Sequence, residues 1–464
     1  MFKPLKATGS ILSCWLTILT SCFWANQAKA QVKHVILISI DSFNPGMYLD
    51  KDWPCPNLRY LAKNGTYADY LKSVFPSFTY PSHTAMVTGA LPARSKIKYN
   101  QPIGSQGEWY WYANAIKVPT LWQKLHEHHL TSAAIMWPVT VNADIDHNLS
   151  ELWDINRPDD RITVARQYAT PTGWVDELEQ KAIGKLDSTN FNDNYCSLDE
   201  NVGRMAAYVI QKYKPNFLAL HVIGADDFGH DFGRDADSVK LAMETNDRVI
   251  GNVLEALSKA HLKDSTAIIV AGDHGMATIH EAMRPNMLIK EVPARFVPAG
   301  GSCFLYRYAN TKKADIPKIV DQVKDSLSRL PADKRKLFRI IERKELDQMG
   351  ADSTAILALS GTNGSGMVFS GAMVASNTTN HGPGTFTQQS KYEGVFYPTK
   401  GGHHGYDPEN SDMHTGFIAY GAGIIKGGHI DHLSEPDIAV LISKLLGVQF
   451  NTPDGHDVPG ILNF

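Results

Sequence analysis

Cysteine is scarce in this chain. The 464 residues hold five, and Cys14 and Cys22 fall within the first thirty. Cys55, Cys196 and Cys303 remain, without the C-x-x-C spacing of a thiolate zinc site. They allow at most one disulfide, whose pairing cannot be read from spacing. Excess charge is missing as well: 45 Lys and Arg stand against 48 Asp and Glu, a formal net charge of −3. No basic run forms a phosphate-backbone footprint, so no nucleic-acid partner is required. No fixed-period repeat occurs. Beyond the first thirty residues no stretch reaches the ~18 uninterrupted apolar residues that mark a membrane span. What is present is a globular composition, 43% hydrophobic and 20% charged, long enough for one large α/β domain or two smaller ones.

The first thirty residues stand apart. Lys3 and Lys6 precede an apolar stretch through Trp24, and "AKA" at 28–30 is a small-residue cleavage site. This pattern predicts a secretory signal peptide over 1–30, with cleavage after Ala30 and Gln31 as the mature N-terminus. "LTSC" at 19–22 offers a second reading, a lipid anchor at Cys22. Either way the expected location is secreted or periplasmic, with the mature chain soluble or tethered only at its N-terminus.

Short apolar runs without alternation predict strands buried on both faces of a parallel sheet. They lie at 35–40, 133–137, 217–223 and 267–272, with a later one at 416–421. Helical patterns fall near 56–64, 81–90, 119–129, 199–213, 237–260, 313–329 and 435–446. This alternation predicts a doubly wound, mostly parallel α/β sheet with helices on both faces. Residues 31–464 are expected to form a single domain. The Gly-, Ser- and Asn-rich stretches between about 300 and 400 read as an irregular excursion from it.

Polar residues collect where the strands end. "ISI" runs into Asp41, "HVIGA" into Asp226, and "IIVAG" into Asp273 and His274. In open α/β sheets the ligand crevice lies beyond the carboxyl ends of the strands, so three strands deliver carboxylates to one edge. His230 in "DDFGHDFG" and the pair His403–His404 in "GGHHGYD" complete a set of N and O donors without thiolates, suited to zinc or a similar divalent ion. Further upstream, "VFPSFTYPSHTAMVTG" at 74–89 crowds Ser77, Thr79, Ser82 and Thr84 around a helix start. Taken alone, these hydroxyls read as helix caps, with Pro81 in the first turn.

In order and spacing, "ISIDSF", "FPSFTYPSHTAMVTG", "DDFGH", "GDHGM" and "HHGYD" resemble the type I phosphodiesterases/nucleotide pyrophosphatases of the alkaline phosphatase superfamily. The resemblance covers about 34 to 425 and includes "WP" at 137–138. It implies an alkaline phosphatase-like fold and a hydrolase cleaving phosphodiester or pyrophosphate bonds of a small substrate. It also implies two zinc ions per chain and a phosphothreonine intermediate on Thr79. One ion would be held by Asp41, Thr79, Asp273 and His274. The other would be held by Asp226, His230 and His404, His404 being chosen over His403 because it directly precedes Gly405. Asn100 stands where the family holds a non-bridging phosphate oxygen.

Rival readings are a phosphomonoesterase on the same core and a non-catalytic extracellular metal-binding protein. Monoesterases of the superfamily usually add a basic residue for the extra phosphate charge, and none lies near Thr79 in sequence. "WPVTVNAD" also lacks the S-x-K-x-R signature of threonine-type phosphatases. In "CPNLR" at 55–59, Asn57 stands where the sulfatase segment has proline. The aromatic run "EWYWYAN" at 108–114 reads equally as a stacking platform for a leaving group or as a strand packing alternate rings inward.

Overall fold

A computed structural model describes residues 32–158, 160–192, 194–372 and 394–464. The expected signal peptide with Cys14 and Cys22, and part of the expected excursion, lie outside the described residues.

The centre is an eight-stranded sheet. In chain order its first six strands are β1 (His34–Ile40), β2 (Thr66–Lys72), β3 (Ser132–Ile135), β4 (His147–Leu149), β5 (Phe217–Val222) and β6 (Thr266–Gly272). Phe417–Gly421 and Gly428–Ser434 complete it. Across the sheet the order is Gly428–Ser434, β2, Phe417–Gly421, β6, β1, β5, β3, β4. β1 pairs in parallel with both β5 and β6, and alternate β1 residues enter two apolar clusters. Ile36, Ile38 and Ile40 pack with Val202, Val209 and Ile250. Val35 and Leu37 join the cluster of Met86, Leu121, Ile438 and Ile442. Successive side chains of a strand point to opposite faces, so helices cover both sides, and this is why the central strands lack a polar face. The fold is the expected mostly parallel α/β sheet with helices on both faces.

Three differences from the sequence reading matter. Phe417–Gly421 is antiparallel to both β6 and β2, whereas its apolar run was expected to be parallel; burial on both faces dictates hydrophobicity but not direction. The Thr79 helix runs Thr79–Thr88 rather than 81–90, with Phe78 as N-cap and no side-chain cap. The region near 300–400 is regular through Gly361. There Ala294–Ala299, Ser302–Arg307, Phe338–Ile341 and Ala358–Gly361 form an antiparallel sheet, which shares an apolar cluster with the Ile316–Ser328 helix through Phe296, Leu305, Ile319 and Val323. Cys55, Cys196 and Cys303 are free thiols. Among the described residues no helix is long and apolar enough to cross a membrane.

Candidate active site

The carboxyl ends of β1, β5 and β6 converge. Asp41 follows β1 directly, and its backbone N–H donates to the Val222 carbonyl at the end of β5 (2.9 Å). Ser42 takes φ = +60°, a left-handed conformation uncommon for a residue with a Cβ. The turn lets Ser42 Oγ donate to Asp226 Oδ1 (2.7 Å) and its N–H donate to Asp273 Oδ1 (3.2 Å). One residue thus ties together three strand ends.

Asp226 and His230 sit four apart on the Gly224–Phe232 helix that follows β5, the spacing that puts two side chains on one helix face. Asp226 Oδ2 lies 3.3 Å from His230 Nε2. Asp273 and His274 follow β6. His274 Nε2 lies 3.3 Å from Thr79 Oγ1, 3.3 Å from Asp41 Oδ1 and 3.3 Å from Asp273 Oδ2. The His404 ring stacks on His274 at 3.7 Å and 8°.

The three imidazoles share one arrangement. His230 Nδ1 meets the Gly402 carbonyl (3.1 Å), His274 Nδ1 the Gly275 carbonyl (3.1 Å) and His404 Nδ1 the Ser77 carbonyl (2.9 Å). A carbonyl only accepts, so each Nδ1 carries the hydrogen and leaves the Nε2 lone pair for a ligand. His403 differs, since its Nδ1 accepts the His404 N–H (3.0 Å).

Donor atoms of Asp226, His230 and His404 lie within 4.8 Å of one another, as do those of Asp41, Asp226 and His274. Asp41 Oδ1 and Asp273 Oδ2 are buried without a hydrogen-bond donor. Burial pushes the Asp41 carboxyl well above the usual carboxylate range, and Asp226 adds to the effect. Asp273 is raised in the same way by burial and by Asp41. Unpartnered buried carboxylate oxygens are costly. A divalent cation held by N and O ligands is what this donor set fits.

Thr79 is nearly buried as the first residue of its ten-residue helix, whose N-terminus favours negative charge. Asn100 Oδ1 accepts the N–H of the adjacent Tyr80 (3.0 Å), so its amide NH₂ remains to donate. Asn100 opens onto a cleft of about 370 Å³ lined also by Phe78, Tyr99, Trp109, Val297 and Pro298. The run 108–114 divides there. Trp109 faces the cleft and packs edge-on to Tyr80 at 5.1 Å, while Trp111 is buried against Trp153 at 5.4 Å. A 3₁₀ turn at Ala113–Ala115 follows in place of the alternative strand.

Ser77 is not a cap. Its Oγ donates to the Tyr406 carbonyl (3.0 Å) and accepts the Gly405 N–H (3.1 Å), beside the carbonyl that holds His404. Ser77→Ala should therefore lower stability by roughly 1–3 kcal/mol, the cost of leaving such groups unpaired. Denaturant unfolding of the two proteins checks this, and an unchanged midpoint would mean that the loop holds without Ser77.

Sequence reasoning missed His221, Glu151 and His83. His221 is buried on β5, with Nε2 3.2 Å from Asp41 Oδ2 and Nδ1 3.4 Å from Glu151 Oε2. His83 Nδ1 meets the Thr79 carbonyl (2.8 Å). The available signal was a histidine inside the otherwise apolar run "FLALHVI".

The family model for type I phosphodiesterase / nucleotide pyrophosphatase matches residues 35–358. Rat ectonucleotide pyrophosphatase/phosphodiesterase family member 7 is 23% identical over 470 residues, covering 97% of this chain and 92% of the rat protein. Mouse bis(5′-adenosyl)-triphosphatase enpp4 is 25% identical over 271 residues, covering 56% of this chain and 50% of that protein. Among solved structures, an inactive threonine-to-alanine variant of murine ectonucleotide pyrophosphatase/phosphodiesterase 5 in complex with AMP superposes with a TM-score of 0.63 at 18% identity. It covers 91% of this chain and 97% of its own.

Proposed function

The chain belongs to the type I phosphodiesterase/nucleotide pyrophosphatase family of metal-dependent hydrolases, and from that premise we propose that it is an exported two-zinc enzyme that uses Thr79 as nucleophile. The observation that carries this reading is the convergence of three Nε2 atoms, each with its Nδ1 fixed to a carbonyl, on buried carboxylates beside Thr79 Oγ1. Asp41, Thr79, Asp273 and His274 would hold one ion, and Asp226, His230 and His404 the other. Bound zinc supplies Lewis acidity, lowering the pKa of a hydroxyl it touches and offsetting charge on phosphoryl oxygens.

The chain's own residues do the rest. Thr79 Oγ1 attacks phosphorus, its proton passing to solvent. The bond from phosphorus to the leaving oxygen breaks, and that oxygen takes up a proton. Water then displaces Oγ1 from the phosphothreonine ester and regenerates the hydroxyl. The Asn100 NH₂ group donates to a non-bridging oxygen, held in place by the Tyr80 N–H on its other atom. The cleft beside Trp109 receives the organic part of a small nucleotide or diester substrate.

A substrate panel tests the reading. Aryl diesters and dinucleotide pyrophosphates should be cleaved faster than aryl monoesters, and the reverse order would make the protein a phosphomonoesterase. Asn100→Ala should lower kcat/KM by roughly 10²–10³-fold, the scale of losing one oxyanion donor, with metal content unchanged. Wild-type kinetics in that variant would remove Asn100 from the site.

A further inference from the structure

Beneath Asp41 lies a pair of groups that none of the assigned roles uses. His221 is 1% exposed and Glu151 7% exposed. His221 Nδ1 faces two acceptors, the Met136 carbonyl at 3.2 Å and Glu151 Oε2 at 3.4 Å, so it carries a hydrogen. Nε2 faces Asp41 Oδ2 at 3.2 Å. The imidazole therefore stands between two carboxylates, one facing each ring nitrogen, and Glu151 Oε2 is buried with no other partner. Asp41 is divided by this contact. Oδ2 is committed to His221, and Oδ1, unpartnered, faces His274 Nε2 at 3.3 Å.

We propose that Glu151 and His221 are positioning residues that grip Asp41 by Oδ2 and so aim Oδ1 into the metal site of Asp41, Asp273 and His274. The proposal rests on the two-metal reading. It predicts a local dependence, because His221 faces Asp41 and has a donor atom within 4.8 Å of one on Asp273, two ligands of that same site. Outer-shell partners of metal ligands commonly change affinity by about 10–100-fold, and that loss should fall on one of the two sites.

Zinc affinity measured by competition with a chromophoric chelator tests this without reference to turnover. His221→Gln places an amide N–H about where Nε2 stood, whereas His221→Asn reaches only the Nδ1 position. Asn should weaken one zinc equivalent by about 10–100-fold and leave the other unchanged. Gln should restore most of the loss. In a His230→Ala background, which disables the other site, the same Asn-to-Gln difference should persist in the remaining equivalent. Glu151→Gln, which keeps the shape and removes the charge, should weaken that same equivalent.

Equal losses at both sites, or Asn and Gln behaving alike, would reduce His221 to a packing role and overturn the proposal. Unchanged affinity in Glu151→Gln would overturn the assignment of the pair. A wild-type protein that binds fewer than two zinc ions would overturn the two-metal reading and this proposal with it. Two ions in the wild type with no effect in any variant would overturn this proposal alone.

Discussion

Thr79→Ala should leave the fold intact and reduce turnover by roughly 10³-fold or more, the scale of deleting a nucleophile. The trapped phosphoryl-enzyme should vanish with it. Thr79→Ser should retain a measurable fraction, because the hydroxyl remains at the helix start and only a methyl group is lost. Ser77, Ser82 and Thr84 are also hydroxyl residues nearby, but Ser77 Oγ is occupied by the 405–406 backbone. Ser82 and Thr84 lie further along the helix, whereas Thr79 Oγ1 lies 3.3 Å from His274 Nε2. Acid quenching followed by mass spectrometry locates the phosphate. A label on Ser77 or Ser82, with Thr79→Ala still active, would overturn the assignment.

Stripping the metal should have an effect of similar size. Exhaustive chelation should lower activity by roughly 10³-fold or more, since a bound divalent ion contributes several kcal/mol of charge stabilisation, and added zinc should restore it. Elemental analysis before stripping should find two zinc ions per chain. The melting temperature should fall as well. Asp41 and Asp273 would then be left with oxygens that no protein donor reaches, and a ligand that binds only the folded state stabilises it. A single ion, or full activity in a demonstrably metal-free preparation, would sink the two-metal mechanism.

What the sequence made legible follows from burial. β1, β5 and β6 are buried along their length, so hydrophobic runs marked them, and the polar residues just beyond the runs stood out as a set. β2 was missed because its exposed and half-buried residues are interleaved with buried ones, and Gly428–Ser434 because Leu433 alone of its residues is buried. Strand direction was not legible at Phe417–Gly421, since burial constrains side chains rather than chain polarity. Ser77 read as a cap because local patterns cannot reveal a partner 329 residues away. His221 was hidden for the opposite reason: a lone histidine in an apolar run looks like filler until the fold brings Asp41 and Glu151 to its two nitrogens.

The antiparallel strand Phe417–Gly421 has a consequence for how the molecule comes into being. It lies between β2 and β6, which do not pair with each other, so the middle of the sheet waits for a segment synthesised near the end of the chain. Until that segment arrives, β2 and β6 each present an open edge, the kind of surface that recruits stray strands. The donors on either side of the gap are not yet held together, because His404 and its contact with Ser77 also come late. A growing polypeptide therefore passes through an interval in which open strand edges coincide with an incomplete set of metal-capable donors. This favours completing the sheet and the donor set together, once the whole chain is available.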